Sequence, residues 1–378
     1  METPFSQPLL GGLSAAQFMR RYWQKKPLVI RQAVPQCAPP LDRAALFALA
    51  AREEVESRLV SVLPSSRWKL QHGPFSRRML PPLQRPGWTL LVQGVDLHHA
   101  GVHALLQSFR FLPDARLDDI MISYASDGGG VGPHFDSYDV FLLQAQGRRR
   151  WTIGRQRDLT LQPDVPLKIL ERFEPEQSFI LDPGDMLYLP PRYAHDGVAV
   201  GGDCMTISIG LRAPTGSELA SDLLVRMAES MADADPTGRA ARRYTDAAQT
   251  AVTAPAAMPA ALQAFARGAV QAALSDPFAV DRALGESLTE PKAHVFFEPG
   301  EEPVSWRVLA LDQRTRMLYD DQHVYINGES FRASGRDAML MRLLADQRTL
   351  DSRALARASE GARSLLVEWC EAGWLHVD

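Results

Sequence analysis

Three side chains in this sequence have the types needed for one face of a metal site: His134, Asp136 and His195. His134 and Asp136 stand two residues apart in the run GGGVGPHFDSYDVFLLQAQGRRRWTIG, Gly128 to Gly154, which reads as glycine loop, strand, tight turn, strand. Residues i and i+2 of a strand share a face, so the imidazole and the carboxylate project together. Such a pair needs one more imidazole to complete the two-histidine, one-carboxylate face of non-haem Fe(II), which leaves coordination positions open. His195 is the best candidate. It closes the segment DPGDMLYLPPRYAH, where Pro183-Gly184 makes a turn and Met186 to Leu189 a short apolar strand. No local structure bridges the gap between the two histidines, so the chemistry calls for a closed β structure whose strands line one cavity.

Arg149 is the second signal. Beyond Gly147 it shares a strand face with Trp151 and Ile153, while Arg148 and Arg150 share the other with Thr152. With the Trp151 face inward, the guanidinium enters an apolar cavity, and a buried cation needs an anionic partner. A dicarboxylate co-substrate held bidentately would serve; so would an internal Asp or Glu. Ser123, on the strand before the glycine loop, is placed to donate to the same carboxylate. The loop GGGVG is not a phosphate cradle, because it lacks the Gly-Lys-Ser/Thr ending and leads into a strand. A zinc hydrolase also uses three protein ligands and an open position, but no general base is placed as in a metalloprotease motif. The other histidines, His72, His98, His99, His103, His294, His323 and His376, read as surface or loop residues.

The elements that must position these groups are mostly short strands. Ser14 caps a helix carrying Phe18, Tyr22 and Trp23, followed by a strand at Leu28 to Ile30 and a helix at Leu41 to Arg52. Strands are expected at Leu59 to Leu63, Trp88 to Val92, Asp119 to Tyr124, Ser178 to Leu181, Met186 to Leu189 and Cys204 to Leu211, with a helix at His103 to Phe109. Many short strands punctuated by Pro and Gly favour a sandwich or barrel over a parallel α/β sheet. After Arg212 the character changes. Leu219, Leu223, Leu224, Met227 and Met231 make one helical stripe, Thr237 to Ala261 is an Ala-, Thr- and Pro-rich linker, and Leu262 to Leu274 and Phe278 to Leu288 are helical. The last part holds strands at Trp306 to Leu311, Met317 to Tyr319 and Val324 to Ile326, with turns at Asp320-Asp321 and Asn327-Gly328. Helices follow at Asp337 to Leu344, Ser352 to Ala358 and Ala362 to Ala372, and Trp374 to Val377 closes a small winged-helix module.

Bulk properties exclude other classes. A net charge of −4 implies no general attraction to nucleic acid or anionic membranes. No apolar run approaches a membrane span, and Met1 to Leu10 has neither the basic nor the apolar part of a signal peptide. The 3 cysteines, Cys37, Cys204 and Cys370, are far apart, which fits a reducing compartment and a cytoplasmic protein. From Ser334 to Asp378 six arginines face seven acids, so the winged helix is expected to contact protein rather than DNA.

The runs GGGVGPHFDSYDVFLLQAQGRRRW and PGDMLYLPPRYAH resemble the Jumonji-C-type 2-oxoglutarate oxygenases, most of all the bacterial ribosomal-oxygenase branch. The similarity extends from YWQKKPLVI near Tyr22 through SRLVS at Ser57 and QHGPF at Gln71 to LRAP at Leu211. The resemblance implies an α+β chain in three parts. These are a double-stranded β-helix (jelly roll, cupin-like) catalytic domain over 1–213, a helical dimerisation segment over 214–292 and a winged helix over 293–378. It implies Fe(II) on His134, Asp136 and His195, and 2-oxoglutarate, used with O2, on Arg149 and Ser123. It further implies hydroxylation, at Cβ, of an arginine in a large-subunit ribosomal protein, by a homodimer. Related halogenases replace the carboxylate with a small residue, so Asp136 points to hydroxylation. Between Asp114 and Asp139 six acids face one base, Arg116, an acidic rim suited to a basic peptide. Two rival readings remain: the same chemistry on a histidine of a ribosomal protein, and a non-enzymatic cupin-type ligand sensor with a DNA-binding winged helix.

Overall fold

The structure, a computed structural model, describes residues 9–62, 68–234, 243–303 and 306–377 and forms two compact units, Met1–Ala213 and Pro214–Asp378. The expected strand end at Leu63, linker residues 237–242 and the first eight residues lie outside the described residues.

In the first unit the order is α1 (Ala15–Arg21), β1 (Leu28–Ile30), α2 (Arg43–Leu49), β2 (Ser57–Val62), β3 (Trp68–His72), β4 (Trp88–Val92), α3 (Ala100–Gln107), β5 (Leu117–Ala125), β6 (Asp139–Gly154), β7 (Gln177–Leu181), β8 (Met186–Leu189) and β9 (Ala194–Leu211). Helix α1 begins where the sequence places it, at a capping box in which Ser14 and Gln17 exchange side-chain and backbone hydrogen bonds. The strands form one antiparallel sheet in the order β1-β8-β6-β9-β5-β4-β2-β3, with β7 also on β6. Strand β6 pairs with β9 from Asp139↔Leu211 to Gly154↔Ala194. Its other edge takes β8 at Val140 to Leu143 and β7 at Arg149 to Ile153.

The expected tight turn at Gly147 is absent. Residues 139–154 make one strand of 16 residues, and its register with β9 shifts between Gln144 and Arg148. Gly147 takes φ +65° and lies where a Cβ would come 2.8 Å from the Asp203 carbonyl. A left-handed residue squeezed between paired strands is absorbed as a bulge, which bends the strand without reversing it. The bulge also changes which residues face inward: Val140 and Leu142 cluster with Trp151 and Ile153, against Leu181, Leu187 and Leu189. The opposite face, with Phe141, Leu143, Ile207 and Ile209, packs on Phe18 of α1, Leu46 of α2 and Leu105 of α3.

The second unit runs α4 (Gly216–Ala234), α5 (Ala260–Ala273), α6 (Ala279–Thr289), β10 (Val308–Leu311), β11 (Met317–Tyr319), β12 (His323–Ile326), β13 (Glu329–Arg332), α7 (Gly335–Gln347), β14 (Thr349–Asp351), α8 (Ser352–Leu355), α9 (Glu360–Glu371) and β15 (Leu375–Val377). Two three-stranded antiparallel sheets, β14-β10-β15 and β11-β12-β13, share an apolar core that includes Leu309, Ile326, Leu344, Leu366 and Trp369. Asn327-Gly328, both at positive φ, turns β12 into β13. Helix α6 lies against this module: Ser330 Oγ donates to Glu286, and the Tyr325 ring occupies the space beside Gly285. Among the described residues no helix is long and apolar enough to cross a membrane.

One buried polar knot ties the first unit's N-terminal segment to the start of β6. Asp139, fully buried, accepts from Tyr188 Oη at 2.6 Å, Gln24 Nε2 at 2.9 Å and Arg116 Nη2 at 3.2 Å, while Gln24 N–H donates to Tyr188 Oη at 2.7 Å. Tyr188→Phe leaves a buried acceptor, Asp139, and a part-buried donor, the Gln24 N–H, short of a partner. It is expected to lower stability in urea by about 1–3 kcal/mol; an unchanged midpoint would show that neighbouring groups re-pair.

Candidate metal centre

His134 sits before β6 in a loop, not in a regular strand as the sequence suggested, and its position comes from one isolated bridge to His195. The two residues exchange backbone hydrogen bonds, His134 N–H to His195 O at 2.9 Å and His195 N–H to His134 O at 2.8 Å. The bridge sets the imidazoles side by side, ring centroids 4.2 Å apart. Asp136 is pinned by its own carbonyl, which accepts from the Arg192 N–H at 2.7 Å, and its Oδ2 lies 3.6 Å from His195 Nε2. Ligand atoms of His134, Asp136 and His195 all fall within 4.8 Å of one another, the only such group of three or more among the described residues.

The hydrogen bonds also select the tautomers. His134 Nδ1 lies 2.8 Å from the Gly132 carbonyl and His195 Nδ1 lies 2.9 Å from the Tyr193 carbonyl. A carbonyl only accepts, so each Nδ1 carries a proton and Nε2 is the nitrogen left to face a metal. Burial, reinforced by His134 and opposed by Asp136, pushes His195 down to about 4, so its imidazole is neutral at ordinary pH. Two imidazoles that present Nε2 and a carboxylate beside them suit a divalent cation and leave positions on it open.

Arg149 lies on the inner face of β6, 4% exposed, paired across to Ala199. Its Nη1 donates to the Gly197 carbonyl at 3.1 Å, and its Nε and Nη2 have no hydrogen-bond partner. Ser123, 6% exposed on β5, makes only a long contact to the Thr206 carbonyl at 3.4 Å. Thr206 pairs with Ser123 on one side and Gln144 of β6 on the other. The glycine loop is a packing device: a Cβ on Gly130 would come 2.6 Å from the Gly197 carbonyl that Arg149 uses.

Most of the acids counted as a rim have structural partners. Asp114 pairs with Arg110, Asp127 accepts from the Gly201 N–H, and Asp139 is the buried knot. Asp118 holds Arg212 and Asp119 accepts from Gln93. Sequence reasoning missed Tyr138, 41% exposed beside Asp136. Burial, then the fields of Asp136, Asp119 and Asp118, push its phenol well up. An exposed Tyr two residues from a ligand gave no signal of its own in the sequence.

Residues 104–219 match the family model described as JmjC domain, and residues 272–376 the one described as ROXA-like winged helix. The chain is 42% identical to the ribosomal protein uL16 3-hydroxylase of Escherichia coli over 212 residues, 55% of each chain. It is 30% identical to a probable ribosomal oxygenase of Haemophilus influenzae over 96% of this chain and 95% of that one. The structure of YcfD, a ribosomal oxygenase from Escherichia coli, in complex with cobalt and 2-oxoglutarate superposes with a TM-score of 0.79 at 31% identity, covering 97% of this chain and 98% of that one.

The neutral His195 has a thermodynamic consequence. An unfolded histidine titrates near 6.5, so between that value and about 4 the unfolded chain takes up a proton that the folded one refuses. This contribution to stability is intact above the unfolded value and is lost as pH falls. The metal-free protein is expected to lose on the order of 3 kcal/mol through this group between pH 7 and pH 4. His195→Gln should show a correspondingly shallower decline in urea unfolding. Equal declines in the two proteins would assign the acid lability elsewhere.

Proposed function

Since the chain belongs to the ribosomal oxygenases, with a JmjC domain of cupin-like fold, we propose that it is an Fe(II)- and 2-oxoglutarate-dependent hydroxylase of an arginine, at Cβ, in a large-subunit ribosomal protein. The observation that carries the reading is a set of two Nε2 atoms and a carboxylate together with a buried guanidinium that keeps two nitrogens unpartnered, Trp151 packing against both His195 and Arg149. His134, Asp136 and His195 would hold the metal, and Arg149 with Ser123 the distal carboxylate of 2-oxoglutarate. When bound, Fe(II) with 2-oxoglutarate and O2 supplies the oxidant that puts one oxygen into an unactivated C–H bond, with succinate and CO2 as co-products.

The protein's part is positioning. The carbonyls of Gly132 and Tyr193 fix both imidazoles in the metal-binding tautomer, and the Arg192 N–H holds the Asp136 backbone. Arg149, anchored on Gly197 beside an apolar wall, would meet the distal carboxylate with its remaining donors. Tyr138, 41% exposed two residues from Asp136, offers an aromatic face to a cationic side chain, which favours arginine over a neutral residue. The charge balance of the winged helix supports protein contacts over DNA binding. Residues 214–292 are read as a pairing surface between two copies, because Leu224, Val225, Val270 and Leu274 are exposed there. A ribosomal substrate would place the protein in the cytoplasm.

The test is incubation of the purified protein with Fe(II), 2-oxoglutarate and ribosomal proteins from cells lacking it, followed by intact-mass measurement. One large-subunit protein should gain one oxygen, and Asp136→Ala should abolish the gain; fragmentation then shows whether arginine or histidine carries it. Consumption of 2-oxoglutarate without any ribosomal product would discard the substrate and keep the chemistry. Arg149→Gln should weaken 2-oxoglutarate binding by about 2 kcal/mol, roughly 30-fold, while metal affinity stays unchanged in a titration.

A further inference from the structure

Trp151 carries a donor for which the fold provides no acceptor. The residue is 5% exposed and its indole N–H has no hydrogen-bond partner. Buried polar groups are paired in all but a few cases, so an unpaired one calls for an explanation. The indole is held firmly. Its six-membered ring lies on the backbone of Gly197, where a Cβ would come within 2.6 Å of it, so residue 197 has room for glycine alone. The ring centroid stands 5.8 Å from that of His195 and 5.8 Å from the Arg149 guanidinium carbon.

Trp151 and Arg149 are two residues apart on the inner face of β6, and both are fixed on the same residue of β9. Arg149 bonds the Gly197 carbonyl and the indole covers its Cα. Arg149 contributes two further unpartnered donors, Nε and Nη2. Three buried N–H-bearing atoms without acceptors thus belong to two touching side chains, one of which, Trp151, packs beside a metal-site histidine. A carboxylate presents about four lone-pair positions, more than one guanidinium edge fills.

We propose that the Trp151 indole N–H donates a hydrogen bond to the distal carboxylate of 2-oxoglutarate next to Arg149, and so helps the site select a dicarboxylate. The proposal rests on the reading of Arg149 as the co-substrate arginine. Trp151 acts here as a binding residue, and its apolar ring also walls the cavity between co-substrate and His195.

The experiment compares 2-oxoglutarate with pyruvate, which shares the 2-oxo acid end but has no distal carboxylate. Calorimetric titration into the Mn(II)-loaded full chain reads binding without turnover. Trp151→Phe should raise the Kd for 2-oxoglutarate roughly tenfold or more, as expected for a hydrogen bond to a charged group, and leave that for pyruvate unchanged. Placing 3-benzothienylalanine at 151 keeps the bicycle and removes only the N–H, so it must reproduce the selective loss even if the phenylalanine variant folds poorly. Equal loss of both acids, or no loss of either, would overturn the proposal and leave Trp151 a wall. Wild-type protein that takes up Mn(II) but no 2-oxoglutarate would overturn the co-substrate reading itself, a result that needs no variant.

Discussion

The backbone exchange between His134 and His195 is the constraint on which the rest of the centre depends. It uses the edge of β9 opposite the one on which Ile153 of β6 faces His195, and it fastens the loop before β6 to the start of β9. A reciprocal pair of backbone hydrogen bonds fixes the loop residue closely on β9, which β6 holds along its length. The ligand set inherits that precision, and the side-chain tautomers follow from the carbonyls of Gly132 and Tyr193. Asp136 needs no strand of its own, since the Arg192 N–H holds it.

Arg149 imposes the second constraint. A guanidinium removed from water is costly unless its charge and its donors are answered. Within the described residues Asp196 answers part of the charge at a distance. Its carboxyl is raised by burial, with His134 and Arg149 pulling the other way, and its Oδ1 has no hydrogen-bond partner. Two guanidinium nitrogens remain open. The fold tolerates this because the bulge at Gly147 turns Arg149 to the same face as Leu142, in a wall already rigid with aliphatic side chains.

Much of the architecture was legible along the chain. Ser14 announced α1, Asn327-Gly328 announced a hairpin, and the apolar runs at Trp88 to Val92 and Met186 to Leu189 became β4 and β8 as expected. Strands β3 and β13 were not read. WKLQH and ESFR are half-exposed edge strands whose polar residues interrupt any alternation. The turn expected at Gly147 failed for a related reason: a glycine at positive φ marks a bulge and a turn equally well, and only the partner strand distinguishes them.

By itself the sequence determined which groups could do the chemistry: a His and an Asp at strand spacing, a distant His, and an arginine flanked by Trp151 and Ile153. Residue type and period carry that information locally. Tertiary structure decided the rest, because it depends on pairing between residues far apart in the chain. The bridge between His134 and His195, the Gly197 carbonyl beneath Arg149 and the packing of Trp151 on Gly197 all arise where the sheet folds one segment against another. Which face of β6 turns inward was settled by a bulge whose register belongs to two strands at once, and no single stretch of sequence contains it.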